Sequence, residues 1–303
     1  MDFKTLKKNS GQAYLDKVAK EMEQMNNPFA KETDNRFWYP EVDSSGNGSA
    51  VIRFLPGAAV DGEDAPEYVR LFHHSFQHPE TSRWYIENSL TTLKQPDPVT
   101  EYNSKLWNST KDEESPARKQ ARHQKRKLTF YSNIYVISDP RTPENEGKVF
   151  LYRYGKKIYD KLDLLMHPEF EGDPRINPFD LWSGANLKMR IRTKAGYRNY
   201  DESVFDSPGP LFSDDKKIEA VWKQAYSLKE IVAPDKFKSY DELEKRLKFV
   251  LGEEEDEIPF DTTPARAPSR APSKSDAGKS RASSVIDDDL DFDLDEFKEL
   301  ADD

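Results

Sequence analysis

Residues 128–161 read LTFYSNIYVISDPRTPENEGKVFLYRYGKKIYDK. The first part, 128–138, is rich in Val, Ile and aromatic residues, which favours a β-strand. Residues 148–154 form a second such run after a segment of turn-forming residues. Residues 156–166 then place Ile158, Leu162 and Leu165 at the spacing of one helical face. The stretch therefore predicts a strand, a turn, a second strand and a helix in succession.

The same patterns extend to both sides of this stretch. Further β-rich runs are found at residues 50–55, 68–76, 83–87 and 187–193. Two later helices are predicted at 214–230 and 239–251, the second opening with Ser239 and Glu242 in the spacing of a capping box. Several strands, one interior helix and terminal helices predict a mainly β (α+β) fold, a small β-barrel with added helices.

The two ends of the chain differ from this centre. In residues 1–27, Ser10 can cap a helix with apolar residues at helical spacing, and Lys4, Lys7 and Lys8 make its entry basic. The alternative is a surface helix with solvated lysines. Beyond residue 251, charged and Pro/Ala/Ser-rich segments bury too little apolar surface to offset the entropy of ordering. We therefore divide the chain into an arm (1–27), a core (28–251) and a disordered acidic tail (252–303).

Composition excludes several classes of protein. The chain has 303 residues and no Cys, so disulfides, iron–sulfur clusters, cysteine nucleophiles and Cys-based zinc sites are excluded. No apolar run approaches the ~20 residues that span a bilayer, and MDFKTLKKNS lacks the apolar stretch of a secretory signal. We expect a soluble, intracellular protein.

The charge is unevenly distributed along the chain. The total is 46 Lys+Arg against 56 Asp+Glu, yet residues 252–303 alone hold 17 acidic and 6 basic residues. The first 251 residues carry 39 acidic and 40 basic residues, a net charge of +1. A nearly neutral body can still hold a local basic patch, and an acidic terminal run is often an interaction tail.

A basic cluster lies directly before the run at 128–138. Residues 115–138 contain no acidic residue, and such a block repels itself unless an anion is present. The aromatic residues Phe130, Tyr131 and Tyr135 follow, so groups that attract phosphates adjoin rings that can stack on bases. The alternative is a solvated loop beside ordinary core aromatics. The cations of the cluster are Arg118, Lys119, Arg122, Lys125, Arg126 and Lys127.

Two runs alternate strictly between their faces. In residues 187–194, Leu187, Met189 and Ile191 share one face, and the other face carries four cations that would repel one another without a shared counter-charge, which a polyanionic strand is one way to supply. These cations are Lys188, Arg190, Arg192 and Lys194. In residues 148–154, Phe150, Tyr152 and Tyr154 face away from Val149 and Leu151. If the aliphatic face is core, the aromatic face is available to bases. Tyr197 and Tyr200 follow the basic run.

An enzymatic function is poorly supported. Neither the G-x-x-x-x-G-K-[ST] phosphate loop nor the G-x-S-x-G elbow is present. The histidines at 73, 74 and 78 match no strong metal-ligand spacing. Asp160 and Asp163 are a weak nuclease signal, because such pairs are common on helix surfaces. Cations that attract phosphates beside rings that stack on bases suit a single strand, whose bases are accessible, so we favour a protein that binds single-stranded DNA. The alternatives are a single-stranded RNA-binding regulator and a metal-dependent nuclease.

Four segments resemble the single-stranded DNA-binding (helix-destabilising) proteins of T4-type bacteriophages. They are AVIRFLP at 50–56, RWYIE at 83–87, DPRTPENEGKVFLYRYGKKIYDK at 139–161 and NYDES at 199–203. The resemblance implies an oligonucleotide-binding (OB) fold, sequence-nonspecific binding of single-stranded DNA and cooperative filament formation. By local match, it places base-stacking aromatics at Trp84, Trp107, Tyr131, Tyr152, Tyr197 and Tyr200.

The resemblance also assigns roles to the two ends of the chain. Residues 6–10, LKKNS, are similar to a reduced form of the family's basic arm motif, so Lys7, Lys8 and Ser10 are expected to contact a neighbouring protomer. The tail is expected to bind phage replication and recombination proteins and to compete with DNA. Its alternative role is that of a solubilising appendage. The expected contact residues of the tail are Asp289, Phe292, Leu294, Phe297 and Leu300.

One departure from the family concerns a metal. The family's structural zinc is held by one His and three Cys; the His matches His74, but the cysteine positions read Asn88, Asp97 and Thr100. A zinc site of that type cannot form here, so we expect no cofactor. The sequence as a whole predicts a non-enzymatic phage protein in the cytoplasm of the infected bacterial host. It would coat single-stranded DNA during replication, recombination and repair.

Overall fold

The computed structural model describes residues 34–194 and 196–253. Within them lie nine strands and five helices. The strands are β1 (Phe37–Trp38), β2 (Gly48–Phe54), β3 (Val69–Gln77), β4 (Trp84–Asn88), β5 (Lys127–Ser138), β6 (Val149–Tyr154), β7 (Leu187–Lys194), β8 (Tyr197–Asn199) and β9 (Val204–Phe205). The helices are α1 (Pro98–Asn108), α2 (Pro116–His123), α3 (Lys156–Met166), α4 (Asp215–Trp222) and α5 (Tyr240–Leu251).

Strand β5 organises the sheet. One of its edges pairs with β6, and the other pairs with β3 near residues 127–131 and with β2 near residues 134–138. Strand β2 continues to β7, whose far edge carries β8 and β9. All of these pairs are antiparallel, and β1 joins β6 in parallel. One long strand therefore connects every part of the sheet.

The strands pair along an open path. The order is β1-β6-β5-β2-β7-β8, with the β3–β4 hairpin attached to β5. The predicted α+β class, a β core with added helices, is confirmed. Among residues 34–194 and 196–253 no pairing closes the sheet into a barrel, so the oligonucleotide-binding barrel stays a prediction.

Most predicted elements are present, but one helix is much shorter than expected. The helix predicted at 214–230 ends at Trp222. After it, Tyr226 N donates to Asn133 Oδ1 at 2.9 Å, and Leu228 N donates to Asp61 Oδ2 at 2.9 Å. These tertiary hydrogen bonds hold the backbone in a turn, and they outweigh the local helical pattern.

Helices α1 and α2 were not predicted. Each begins with a side-chain cap followed by Pro at the first helical position. Asp97 accepts from Thr100 N before Pro98, and Ser115 accepts from Arg118 N before Pro116. Such cap–Pro pairs are a sequence signal for a helix start.

The main core lies on one face of the sheet and is covered by α3. Its buried residues include Trp38, Ile52, Phe130, Tyr154 and Ile158. A second core packs the β3–β4 hairpin against α1 and α5. Its buried residues are Phe76, Tyr85, Leu90, Val99, Leu243, Leu247 and Val250. Helices α1 and α5 are thereby fixed to the β3–β4 hairpin, and α2 contacts α1; these three helices form the helical module.

Two of the recognisable sequence segments have structural roles. In AVIRFLP, buried Arg53 donates from Nε to Asn186 Oδ1, from Nη1 to Asp180 O and from Nη2 to Gly209 O, at 2.8–3.0 Å. In DPRTPENEG, Asp139 Oδ2 accepts from Trp38 Nε1 at 2.8 Å. Because a buried charge needs partners, these bonds connect Arg53 on β2 to the loop before β7 and to the segment after β9.

Candidate nucleic-acid interface

Trp107, Arg118 and Arg122 come together where α1 meets α2. The guanidinium carbons of Arg118 and Arg122 lie 4.3 and 5.6 Å from the centre of the Trp107 ring. Arg118 Nε also donates to the carbonyls of Trp107 and Thr110 at the end of α1. Both arginines are therefore held in place before any ligand arrives.

Acidic residues from the preceding loop form ion pairs with part of the basic cluster. Glu113 Oε1 lies 2.9 Å from Arg118 Nη1, and Oε2 lies 2.5 Å from Arg122 Nη2. Glu114 similarly contacts Lys119 Nζ at 3.0 Å. Two residues just outside the acid-free block therefore supply opposite charge to three of the six cations, and the role of the cluster in binding DNA stays a prediction.

The remaining cations of the cluster lie at the start of β5. Lys125, Arg126 and Lys127 are all half-buried, and Arg126 lies 4.3 Å above the ring of Phe72 on β3. Phe72 pairs with Leu128 across the strands. A cation and a ring are therefore adjacent here as well, on the sheet between α3 and the module of α1, α2 and α5.

Two aromatic residues that we did not predict as ligand contacts, Tyr159 and Tyr68, lie near the start of β3. Tyr159 of α3 stacks on Phe130 with ring centres 4.2 Å apart, and its hydroxyl lies 3.4 Å from that of Tyr68. The hydrogen bond with Tyr68, with some burial, raises the pKa of Tyr159 to about 12. Exposed Arg70 lies across from Phe130. Alternation in the run VRLF, with Arg70 and Phe72 on one face, was the signal that could have found this surface.

The aromatic face of β6 is not available. Tyr152 and Tyr154 are 3% and 2% exposed, and both belong to the main core. The rings of Tyr152 and Trp38 pack edge to face, with their centres 5.4 Å apart. Val149 and Leu151 are also buried, so both faces of β6 are covered and the predicted exposed face is wrong. Strict alternation does not reveal which face is exposed when both are covered.

The other predicted stacking residues differ in exposure. Tyr131 and Tyr200 are buried, and Trp84 is half-buried beside α5, where Arg246 Nη2 donates to its carbonyl. Tyr197 on β8 is 51% exposed. Of the predicted tyrosines, Tyr197 therefore presents the most surface to a base in this conformation.

Strand β7 has the predicted alternation, with its apolar residues buried and all four cations exposed. Three of these cations are paired with the segment that follows. Lys188 Nζ lies 2.7 Å from Asp206 Oδ1. Arg192 Nε lies 3.1 Å from Glu202 Oε2, and Lys194 Nζ lies 3.1 Å from Asp201 Oδ2. Within the described part of the chain, the guanidinium of Arg190 has no ion pair. The protein's own carboxylates thus supply counter-charge to three of the four cations, and the contact of this face with DNA stays a prediction.

Three of the four positions that match the family's zinc ligands lie together. His74 Nε2 lies 3.3 Å from Asp97 Oδ1, which also accepts from Thr100 N at 3.0 Å. Asn88 instead donates to Lys236 O. Burial alone would raise the pKa of Asp97, but His74 and the donors Thr100 and Ser89 outweigh it and hold that pKa below its ordinary value. Hydrogen bonds and an ion pair thus connect the segments here.

Residues 34–194 and 196–253 hold no group of three or more His, Asp or Glu side chains arranged to bind a metal. Within that same part of the chain, no helix is both long and apolar enough to cross a membrane. The predicted arm contacts Lys7, Lys8 and Ser10 lie outside the described residues. So do the tail residues Asp289, Phe292, Leu294, Phe297 and Leu300.

Comparison with known proteins identifies the family. Residues 46–251 match the family described as "gp32 DNA binding protein like". The single-stranded DNA-binding protein of Enterobacteria phage T4 is 38% identical over 234 residues, which cover 75% of this chain and 73% of the relative. The corresponding protein of Enterobacteria phage T2 is 38% identical over 226 residues, covering 72% and 71%. The matched region includes β2 to α5 and the contacts of Trp107, Phe72 and Phe130 described above, and the chain therefore belongs to the gp32-like family of DNA-binding proteins.

Proposed function

We propose that this protein binds single-stranded DNA without sequence specificity and without catalysing a reaction. The observation that carries the proposal is the stacking of Arg118 on Trp107 and of Arg126 on Phe72, within the residues that match the family. Guanidinium groups beside flat rings suit a ligand that offers phosphates and unpaired bases together.

The surface between the helices is the proposed path of the strand. It runs from Trp107 past Phe72 and Arg70 toward Tyr159, along one face of β3 and β5. The side chains of Arg70 and Tyr159 are at least partly exposed there. Because stacking needs only the face of a base, such a surface tolerates any sequence.

The finer parts of the proposal rest on the family resemblance. We propose an oligonucleotide-binding core, cooperative coating of DNA through the arm, and recruitment of replication and recombination proteins through the acidic tail. Because the similar proteins come from phages, we place this activity in the cytoplasm of the infected bacterial host. Binding single strands in preference to duplex would shift DNA melting by mass action, with no need for ATP.

Titration of the full chain with poly(dT) and with duplex DNA, at two salt concentrations, tests the proposal. We expect poly(dT) to bind more tightly and to lose affinity as salt rises. Equal binding of both DNAs, or none, would overturn it. Matched single-stranded RNA in the same assay tests an RNA-binding regulator, and labelled DNA incubated with Mg²⁺ tests a nuclease.

A further inference from the structure

We propose that Glu113 is an internal competitor for DNA phosphate, occupying the pair Arg118 and Arg122 when no DNA is bound. The inference rests on the proposed function and assigns a regulatory role to one side chain that neither the motifs nor the resemblance singled out. The pair of arginines together with Trp107 is called the Trp107 cluster below.

The contact resembles recognition of a phosphate. One carboxylate uses both of its oxygens on two guanidinium groups, at 2.9 and 2.5 Å. Guanidinium groups bind the oxygens of carboxylates and phosphates in the same fork geometry. A DNA phosphate can therefore take the same place only when Glu113 leaves.

The two sides of the contact differ in how firmly they are held. The side chains of Arg118 and Arg122 are 13% and 19% exposed; both lie over the Trp107 ring, and Arg118 is also hydrogen-bonded to backbone carbonyls at and just after the end of α1. The side chain of Glu113 is 61% exposed and lies on the loop between α1 and α2. Exposed ion pairs contribute little free energy, so the carboxylate can be displaced at small cost while the arginines stay in place.

An unfilled donor shows that the carboxylate satisfies the cluster incompletely. Nε of Arg122 is buried and has no hydrogen-bond partner. Each oxygen of Glu113 already faces one arginine; a phosphodiester has the same two anionic oxygens in a tetrahedral arrangement, with two ester oxygens as further, weaker acceptors. A buried donor without an acceptor is costly, so the cluster is better matched to phosphate than to its present occupant.

The test compares Glu113→Gln with Glu114→Gln in the full chain. Both substitutions remove one negative charge from the same loop, but Glu114 contacts only the exposed side chain of Lys119. Binding of a short dT oligonucleotide is measured by fluorescence anisotropy over a series of NaCl concentrations. Thermal unfolding of each variant verifies folding, and Glu113→Ala serves as a second variant.

We expect Glu113→Gln to tighten binding about three- to tenfold at low salt, the scale of one partly exposed charge contact. We also expect the plot of log K against log salt to steepen by about 0.7, the value for one single-strand phosphate. Glu114→Gln should change affinity less than about twofold. Equal effects of the two substitutions, or weaker binding by Glu113→Gln, would overturn the inference.

A double variant separates local competition from a general field effect. In an Arg122→Gln background, Glu113→Gln should give a clearly smaller gain, because the carboxylate then blocks one arginine fewer. An undiminished gain contradicts the inference. If the unaltered protein fails to bind dT at all, the proposed function itself is wrong; if it binds but the Gln variants do not differ, only the role of Glu113 is wrong.

Discussion

Nε2 of His74 lies 3.3 Å from Oδ1 of Asp97, and both side chains are 1% exposed. His74 belongs to β3, and Asp97 caps α1 while accepting from Ser89 Oγ and Leu90 N. The pair therefore joins the β3–β4 hairpin to the helical module, at two of the positions that match the zinc ligands of the family.

Replacing Asp97 with Asn is expected to destabilise the protein by about 2–4 kcal/mol. The new amide nitrogen is a donor, so Ser89 Oγ or Leu90 N loses its acceptor, and His74 loses the charge beside it. Urea unfolding at neutral pH measures the loss, with the exposed Glu80→Gln as control. A change below about 0.5 kcal/mol would show that the network is not important for stability.

The difference between the unaltered protein and Asp97→Asn should depend on pH. The pKa of Asp97 is lower in the folded protein than its ordinary value, so the folded state takes up this proton less readily than the unfolded chain. Its contribution is therefore complete above about pH 4 and is lost as the pH falls below that value. Urea unfolding at several pH values between about 2 and 7 measures the trend, and a constant difference would contradict it.

Removal of metal should leave the fold unchanged. Asp97 accepts from Thr100 and lies 3.3 Å from His74, whereas Asn88 donates to Lys236 O, so hydrogen bonds and packing connect these segments. We expect EDTA to leave the thermal midpoint within about 1 °C of its untreated value, the shift that a few tenths of a kcal/mol produce. Excess Zn²⁺ should not raise it. A clear fall with EDTA would mean that a metal stabilises the protein after all.

Tyr197 and Tyr152 should respond oppositely to replacement by Ala. Tyr197→Ala removes an exposed ring, so we expect about 1–3 kcal/mol weaker binding of dT with stability almost unchanged. Tyr152→Ala empties part of the main core and should cost about 3–5 kcal/mol of stability. Anisotropy and urea unfolding give the two quantities. Unchanged affinity of Tyr197→Ala would exclude β8 from the interface.

Among the cations of β7, Arg190 should contribute most to DNA binding. Asp206 already neutralises Lys188, whereas the guanidinium of Arg190 has no ion pair within the described residues. Arg190→Gln should weaken dT binding and reduce the slope of log K against log salt by about 0.7. Lys188→Gln should have a smaller effect on both quantities. Equal losses would mean that DNA displaces Asp206 completely.

Deletion of residues 1–20 tests the proposed arm. We expect such a protein to bind an oligonucleotide that fills one site as before, because the rings and cations of the core remain. Cooperative coating of long DNA should disappear, which electron microscopy or the steepness of a poly(dT) titration measures. Persistence of filaments would contradict the assignment.

Local sequence was sufficient where one element determines its own conformation. Strands β5 and β6 and helix α3 fall at their predicted positions, because β-branched and aromatic runs and a helical apolar face specify them directly. The caps of α5, Ser239 and Glu242, form the predicted capping box. The exposed cations of β7 follow from simple alternation for the same reason.

Tertiary contacts account for the failures. Alternation in β6 separates two faces but does not indicate that both are covered. The carboxylates opposite the cations of β7 arrive only when the chain turns back through β8 and β9. After the helix ends at Trp222, Tyr226 N and Leu228 N donate to Asn133 and Asp61, and each acceptor lies about 90 or more positions earlier in the chain.

The pairing of β2 with β7 has a consequence for how the protein is made. Ile52 lies opposite Leu187, so roughly 135 further residues must be synthesised before β2 can pair with β7. Until then, one edge of an apolar segment is exposed to other nascent chains. Rapid synthesis of the β7 segment, or a chaperone bound near β2, should therefore determine how much of the protein escapes aggregation.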